Sequence, residues 1–185
     1  MSPLVTTIHQ ILSVLTIVGQ ITIVTLIVLM IISQKKRLSI FELVASYSFP
    51  MSFIVALIAM SGSLFYSGVA GFTPCTLCWY QRILMYPHVI LLGVALWKED
   101  KRIMDYLIAL STLGVFVSGY HYLLQIGILA PLPCSAIGYS VSCTKTFVMS
   151  LGYITIPMMS LTAFLLIVTF MVTKKLSNNR KLNTQ

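Results

Sequence analysis

Four cysteines form two pairs whose spacing suits dithiol chemistry. Cys75 and Cys78 make a Cys-x-x-Cys pair, and Arg82 follows Cys78 by four residues, which on a helix is the same face. Cys134 and Cys143 make a second pair, with eight residues between them. The thiolate that attacks disulfides and donates electrons is favoured by a helix N-terminus or a nearby cation. If all four cysteines share one side of a membrane, they could move electrons between dithiols and a carrier dissolved in lipid.

The composition predicts a membrane protein. Of the 185 residues, 58% are hydrophobic and only 9% are charged, which is too apolar for a soluble domain of this length. Crossing a hydrocarbon layer of about 30 Å takes about 20 helical residues. Five apolar stretches approach or exceed that length, near 10–33, 43–68, 79–97, 106–125 and 148–172. We therefore predict an all-α membrane protein with five transmembrane helices.

The predicted organisation has three parts. Residues 1–38 hold the first helix and a basic loop, residues 39–173 hold the other four helices, and residues 174–185 form a basic tail. The first helix is expected to be an uncleaved span, because residues 1–8 lack the basic start of a signal peptide.

Lysine and arginine residues orient these helices. They concentrate in the first connection, the third connection and the tail, which lie on one side of a five-span chain, and this side is predicted to be cytoplasmic. The opposite side carries both cysteine pairs, with Lys145 and Arg82 as its cations. Topology and attraction to anionic lipid thus explain the net charge of +8, and we expect no nucleic-acid partner.

Three interpretations of the exported cysteines compete. Disulfides persist outside the cytoplasm, so both pairs could be structural. A zinc site needs four thiolate or imidazole ligands, and these spacings match the usual zinc motifs poorly. Redox-active dithiols are favoured by the setting of Cys78, at the expected positive end of a helix dipole and near Arg82.

Arg82 is expected to lie inside the membrane. Only the fifteen uncharged residues Ile83–Trp97 follow it, too few to span alone, so the helix must begin near Trp79. A charge at that depth costs several kcal/mol unless it is partnered, which makes Arg82 a candidate site residue. The alternative is a side chain that extends to the outer headgroups.

These residues resemble a known family. The pattern Cys-x-x-Cys-x-Tyr-Gln-Arg at the start of a membrane helix, here Cys75 to Arg82, is similar to that of the DsbB family of bacterial disulfide-bond formation proteins, especially its short-loop members, often called BdbC. His121 precedes Cys134 by thirteen residues, with Gln125 between them and Pro133 just before the cysteine, as in the same family. The resemblance covers roughly residues 43–172 and implies a four-helix transmembrane bundle, so that the first helix is one additional N-terminal transmembrane helix.

The resemblance implies a protein dithiol:quinone oxidoreductase of the bacterial cytoplasmic (inner) membrane that supports disulfide bond formation. Its cofactor would be ubiquinone or menaquinone, and its partner an exported thioredoxin-like thiol oxidase of the DsbA type. The implied electron donor to quinone is the pair Cys75 and Cys78, with Cys78 nearest the ring. Arg82 would contact the quinone head group, and His121 would assist its protonation. No metal is implied.

The second cysteine pair has a different implied role. Cys134 and Cys143 would be the shuttle pair that exchanges with the partner, and Cys134 would form the mixed disulfide. Two departures from the family pattern are the extra first helix and the short loop between these two cysteines.

Two other functions stay open from the residues. The first is a non-catalytic membrane protein with two structural extracytoplasmic disulfides. The second is an enzyme like vitamin K epoxide reductase, but such enzymes place their shuttle cysteines before the Cys-x-x-Cys pair, whereas here they follow it.

Of the remaining residues, His88 is expected to be a buried imidazole bonded to a neighbour, and His9 to be solvated. Small residues are expected to allow close helix approach, among them Gly114, Ser118 and Gly119.

Overall fold

The computed structural model describes residues 3–33, 39–98, 102–129 and 142–182, and these residues form five α-helices. The described part of the chain contains no strand, only an isolated bridge between Ser150 and Ile154. The predicted all-α fold is therefore confirmed. The helices are α1 (Pro3–Ser33), α2 (Ser39–Gly68), α3 (Thr76–Lys98), α4 (Met104–Gln125) and α5 (Ile156–Leu182).

Four helices form a bundle to which the first helix is added. In the bundle, α3 packs between α2 and α4, and α5 packs against both α2 and α4. Helix α1 lies outside this bundle, mainly against α5 and less extensively against α2. Fully buried apolar side chains fill the centre, including Leu92, Leu107, Phe164, Ile167 and Met171.

Four helices, α1, α2, α4 and α5, are long and apolar enough to cross a membrane by length and composition. Helix α3 was predicted as a fifth span and is not among them, although its 23 residues give sufficient length. Its polar residues lower its apolar character, and the bundle accommodates two of them, since Gln81 and His88 are buried.

The fifth helix starts and ends later than predicted. The prediction of a span over 148–172 was wrong at its start, because residues 148–155 are not helical. Leu151 and Gly152 have φ values of 53° and 77°, a left-handed conformation that a helix cannot contain. Pro157, which suits a first helical turn, follows them. At the other end α5 continues to Leu182, so the described part of the predicted basic tail extends the helix.

The basic end of the bundle lies opposite the cysteines along the helices. Lys175 forms a salt bridge of 2.7 Å with Asp105, at the start of α4. Ser177 donates a hydrogen bond of 2.8 Å to Glu42, in the first turn of α2, and Arg180 donates one of 3.0 Å to the last carbonyl of α1. The predicted clustering of these helix ends is therefore present. Other basic residues used in the prediction, Lys35, Lys36, Arg37 and Lys101, lie outside the described residues.

Gly114 allows α4 and α5 to approach closely. A Cβ atom at this position would overlap the ring of Phe164, which is fully buried. Gly119, on the same helix, has open space where a Cβ would be, so it does not serve the close approach predicted for it.

We expect Gly114→Ala to destabilise the bundle by about 1–3 kcal/mol, because the added methyl group must displace a packed ring. The measurement is the midpoint of thermal unfolding in detergent, with Gly119→Ala as the control that adds the same methyl group where space is free. Equal midpoints for the two variants would contradict this packing argument.

Candidate active site

The first cysteine pair lies at the N-terminus of α3. The helix begins at Thr76, three residues before the predicted start, so Cys75 occupies the N-cap position and Cys78 lies in the first turn. The Cys75 sulfur accepts a hydrogen bond from the Cys78 backbone N–H at 3.4 Å, as N-cap side chains do. The two sulfur atoms are 2.9 Å apart, and both cysteines are in the reduced form. The positive end of the helix dipole favours negative charge on the Cys78 sulfur.

Cys75 is the member of this pair that retains its proton. Its hydrogen bond with Cys78 and its burial raise the pKa of Cys75 to about 12, against a smaller lowering by His121. Cys75 is therefore a thiol at neutral pH and can donate its proton to the Cys78 sulfur. The pair then contains one retained proton and one sulfur free to act as the nucleophile.

The raised pKa predicts how Cys75 reacts with an alkylating reagent. In the reduced protein Cys75 should react later than Cys78, and its rate should rise about tenfold per pH unit without levelling off below pH ~10, whereas an ordinary thiol levels off above its pKa of about 8.5. Timed alkylation followed by peptide mass spectrometry measures both rates, with the denatured protein as the control. Equal rates for the two cysteines at neutral pH would contradict the assignment.

His121 connects the first cysteine pair to Cys143. Its Nε2 atom lies 3.1 Å from the Cys143 backbone carbonyl and 3.7 Å from the Cys75 sulfur. Its Nδ1 atom lies 2.9 Å from Nε2 of Gln81. Cys75 and Cys143 are buried in one small cluster with Leu124. The structure thus brings together four of the predicted site residues, Cys75, Cys78, His121 and Cys143, and adds Gln81, which was not predicted.

These hydrogen bonds determine the tautomer of neutral His121. A carbonyl only accepts hydrogen bonds, so Nε2 must carry the proton that points at Cys143. Nδ1 is then an acceptor, and the Gln81 amide donates to it. Gln81 therefore orients the imidazole so that its N–H lies beside the Cys75 sulfur. Gln81 follows Cys78 by three residues, and this shared helix face was the signal available in the sequence.

A cavity of about 370 Å³ lies on the other side of the dithiol, between α1, α2, α3 and α5. Its walls are mainly apolar, and its size is typical of a small-molecule site. Among the described residues, Cys78 and Arg82 line the cavity, and Cys75 and His121 do not. Three stacked aromatic rings, Tyr66, Phe72 and Phe147, form the part of the wall near the cysteines.

Arg82 has partners within the protein. Its Nη2 atom donates a hydrogen bond of 3.0 Å to the Ser63 carbonyl, near the C-terminus of α2, where the helix dipole favours a cation. Its guanidinium also lies 5.3 Å from the centre of the Trp79 ring. Arg82 is half-buried, so its charge is held at the cavity wall by partners as the sequence argument required.

Cys134 and the preceding Pro133 lie outside the described residues. The quinone contact of His121 stays a prediction, and the imidazole lies beside the thiols instead of at the cavity wall.

Three potential metal ligands also meet at this site. The ligand atoms of Cys75, Cys78 and His121 lie within 4.8 Å of one another. A structural zinc site would need a fourth ligand. Among the described residues, Cys143 directs its backbone carbonyl at His121, and this contact requires the Nε2 proton that a metal would displace. The arrangement suits proton and thiol exchange better than metal binding.

The other two histidines are both buried. His88 lies 2.8 Å from the Leu84 carbonyl and 2.6 Å from the Ser111 hydroxyl, as expected of a bonded core imidazole. The expectation that His9 is solvated was wrong, because His9 is 7% exposed. Its ring nitrogens lie 2.9 Å from the Tyr66 hydroxyl and 3.0 Å from the Ser150 hydroxyl. Nothing in the local sequence indicates these distant partners.

Comparison with known proteins gives one consistent family. The family model described as "Disulfide bond formation protein DsbB" matches residues 45–173. Disulfide bond formation protein C of Bacillus subtilis is 46% identical over 122 residues, which cover 65% of this chain and 86% of that protein. A probable disulfide formation protein of Oceanobacillus iheyensis is 45% identical over 114 residues, covering 62% and 79%.

A prophage-derived relative gives a similar match. The SPbeta prophage-derived disulfide bond formation protein B of Bacillus subtilis is 41% identical over 119 residues, covering 64% of this chain and 79% of that protein. No solved structure matches the chain. The family match begins at residue 45 and so excludes α1.

Proposed function

Because the chain belongs to the DsbB family of disulfide bond formation proteins, we propose that it is a membrane thiol:quinone oxidoreductase. Its substrate is an exported thioredoxin-like thiol oxidase of the DsbA type, which it reoxidises. The electrons pass through Cys134 and Cys143 to Cys75 and Cys78, and then to a quinone in the membrane.

The observation that carries this proposal is the two-sided environment of the first cysteine pair. Cys75 is buried against Cys143 and His121, and Cys78 lines the apolar cavity together with Arg82. One sulfur is thus available to a second dithiol and the other to a lipid-soluble acceptor. Two structural disulfides would not require an apolar cavity beside one sulfur.

The residues at the cavity fit a quinone. Apolar walls suit its hydrocarbon parts, and the guanidinium of Arg82 can donate hydrogen bonds to a ring oxygen. A quinone, when bound, supplies an acceptor for two electrons and two protons. Arg82 would hold the ring and stabilise negative charge at Cys78, as preorganised charges do in other active sites. Whether the quinone is ubiquinone or menaquinone, the same residues would serve.

The proposed thiol exchange balances without a further reactant. A partner thiolate attacks the Cys134–Cys143 disulfide at Cys134 and displaces Cys143, and the second partner thiolate then displaces Cys134, so that the partner becomes oxidised. The reduced second pair in turn reduces the Cys75–Cys78 disulfide by the same two displacements. Two electrons and two protons then reside on Cys75 and Cys78.

His121 is proposed to handle a proton during this exchange. Its Nε2–H lies beside the Cys75 sulfur and can stabilise a thiolate that leaves there. Gln81 keeps the imidazole in the tautomer that carries this proton.

The proposed location is the bacterial cytoplasmic membrane, with the cysteines on the extracytoplasmic face. After reduction, a membrane-impermeant thiol reagent added outside intact cells should label all four cysteines, with Cys75 and Cys143 reacting more slowly than Cys78 because their side chains are buried. Permeabilised cells provide the control for total labelling. Labelling only after permeabilisation would contradict the topology.

The function is tested with the purified full-length protein in lipid nanodiscs. A reduced thioredoxin-like partner and a quinone are supplied, and partner thiols and quinone absorbance are followed together. We expect one quinone to be reduced for each partner disulfide formed. Partner oxidation without quinone reduction, or a Cys75–Cys78 potential below about −300 mV as in structural disulfides, would contradict the proposal.

A further inference from the structure

Helix α1 contributes to the cavity although it lies outside the family match. That match begins at residue 45, whereas one wall of the cavity consists of α1 residues. Their positions repeat every three to four residues, so they form one face of the helix. They are Leu12, Leu15, Thr16, Val18, Gly19 and Thr22.

Specific contacts hold this face of α1 in position against α5. A Cβ atom at Gly19 would lie 2.9 Å from Leu166 and 3.1 Å from Thr162, so the glycine allows the two helices to approach closely. Next to it, Gln20 accepts a hydrogen bond of 3.0 Å from the Tyr153 hydroxyl. The placement of α1 is therefore specified by shape and by polar contacts.

The buried His9 connects α1 to the cavity wall near the cysteines. It lies 2.9 Å from the hydroxyl of Tyr66, whose ring stacks on Phe72. Phe72 stacks in turn on Phe147. Because these rings line the cavity, the position of α1 is coupled to the part of the cavity that contains Cys78.

The cavity opens sideways between α1 and α2. Helix α1 packs less extensively on α2 than on α5, which leaves room between them. Several residues that line the cavity on these two helices are also exposed, so the cavity is not closed at this side. They are Leu15 and Val18 on α1, 42% and 54% exposed, and Met51, Ile54 and Ile58 on α2, 45%, 50% and 39% exposed.

From this geometry we propose that α1 and α2 form a lateral portal that holds the hydrocarbon tail of the quinone. The portal is defined by Leu15, Val18, Met51, Ile54 and Ile58. This inference rests on the proposed function, because the acceptor is a quinone. The same cavity is also lined by Cys78 and Arg82, so a ring held beside them would direct its tail along the apolar walls to the lipid.

The first experiment compares the binding of two quinones that share one ring, one without a tail and one with a prenyl tail. Full-length protein in nanodiscs is titrated with each, and the dissociation constant is measured by equilibrium binding. Leu15→Trp should weaken binding of the tailed quinone about tenfold, the size expected when a bulky side chain overfills a packed site, and change the tailless one less than about twofold. Val14→Trp is the matched control, because Val14 is 59% exposed and does not line the cavity.

The second experiment uses the unsubstituted protein, so it does not depend on a variant that must fold. A tailed quinone with a photoreactive group at the end of the tail is cross-linked, and the attachment sites are mapped by mass spectrometry. We expect attachment to the α1 and α2 residues of the portal, removed by excess unlabelled tailed quinone. The lipid-exposed α4 residues Leu113 and Phe116 report the background.

The outcomes separate this inference from the proposed function. Binding of both quinones with no effect of Leu15→Trp, or with cross-links outside the portal, would overturn the portal and leave the proposed function intact. Cross-links that lipid but not quinone removes would make the portal a lipid site and also overturn it. Failure of the unsubstituted protein to bind either quinone would overturn the proposed function itself.

Discussion

Replacement of Cys78 by serine is expected to slow steady-state quinone reduction by about three orders of magnitude or more, as loss of a nucleophile does in other enzymes. Among the described cysteines, Cys78 is the one that lines the cavity. A serine hydroxyl can neither form a disulfide with Cys75 nor donate electrons. A Cys134–Cys143 disulfide formed beforehand should still oxidise one equivalent of partner. The measurement is therefore a steady-state quinone assay beside a single-turnover assay of partner thiols.

Cys143→Ser is the matched variant, because it removes one sulfur from the other pair. In this variant the Cys134 thiolate attacks the disulfide of the oxidised partner and releases one partner thiolate. Without Cys143 to displace the partner, the mixed disulfide should accumulate and appear on a non-reducing gel. Peptide mapping then identifies the cysteine that carries the partner. An adduct on Cys75 would reverse the proposed roles of the two pairs, and unchanged steady-state turnover of Cys78→Ser would exclude Cys78 as the electron donor.

The helices were predictable because length and apolar composition act locally. Four of the five predicted spans correspond to helices that could cross a membrane, and the fifth, α3, is a helix with a more polar composition. The errors lie at helix ends, where a single residue can decide at which position the helix begins. Cys75 caps α3 earlier than predicted, and the left-handed Leu151 and Gly152 delay the start of α5.

The candidate site was predictable in its chemistry but not in its surroundings. Cysteine spacing and a charged residue within a span indicated Cys78 and Arg82 from the sequence alone. The Gln81–His121 contact joins residues forty positions apart, and the contact of His9 with Ser150 joins α1 to the turns before α5. Such contacts depend on how separate helices pack, which periodicity within one helix does not encode. The cavity is a further case, since four helices supply its walls.

The packing also gives α3 its two-sided role. One face of its first turns meets Cys143 and His121, and the adjacent face meets the cavity. A single turn of helix therefore separates the proposed site of thiol exchange from the proposed site of electron acceptance. This arrangement allows the two reactions to share one dithiol while the cavity stays apolar.

Replacement of Arg82 by methionine is expected to weaken quinone binding by about 10–100-fold, the equivalent of one hydrogen bond to a charged group at about 1.5–3 kcal/mol. Methionine has a similar length but cannot donate to a ring oxygen or to the Ser63 carbonyl. Arg82→Lys should have an intermediate effect, because lysine keeps the charge and loses the planar fork. Dissociation constants for quinone and the turnover number are measured for both variants. Lys98→Met is the control, since it removes the same charge from the opposite end of α3. If Arg82→Met bound and reduced quinone as the unsubstituted protein does, Arg82 would serve only to anchor α3 to α2, and its assignment to the quinone site would be wrong.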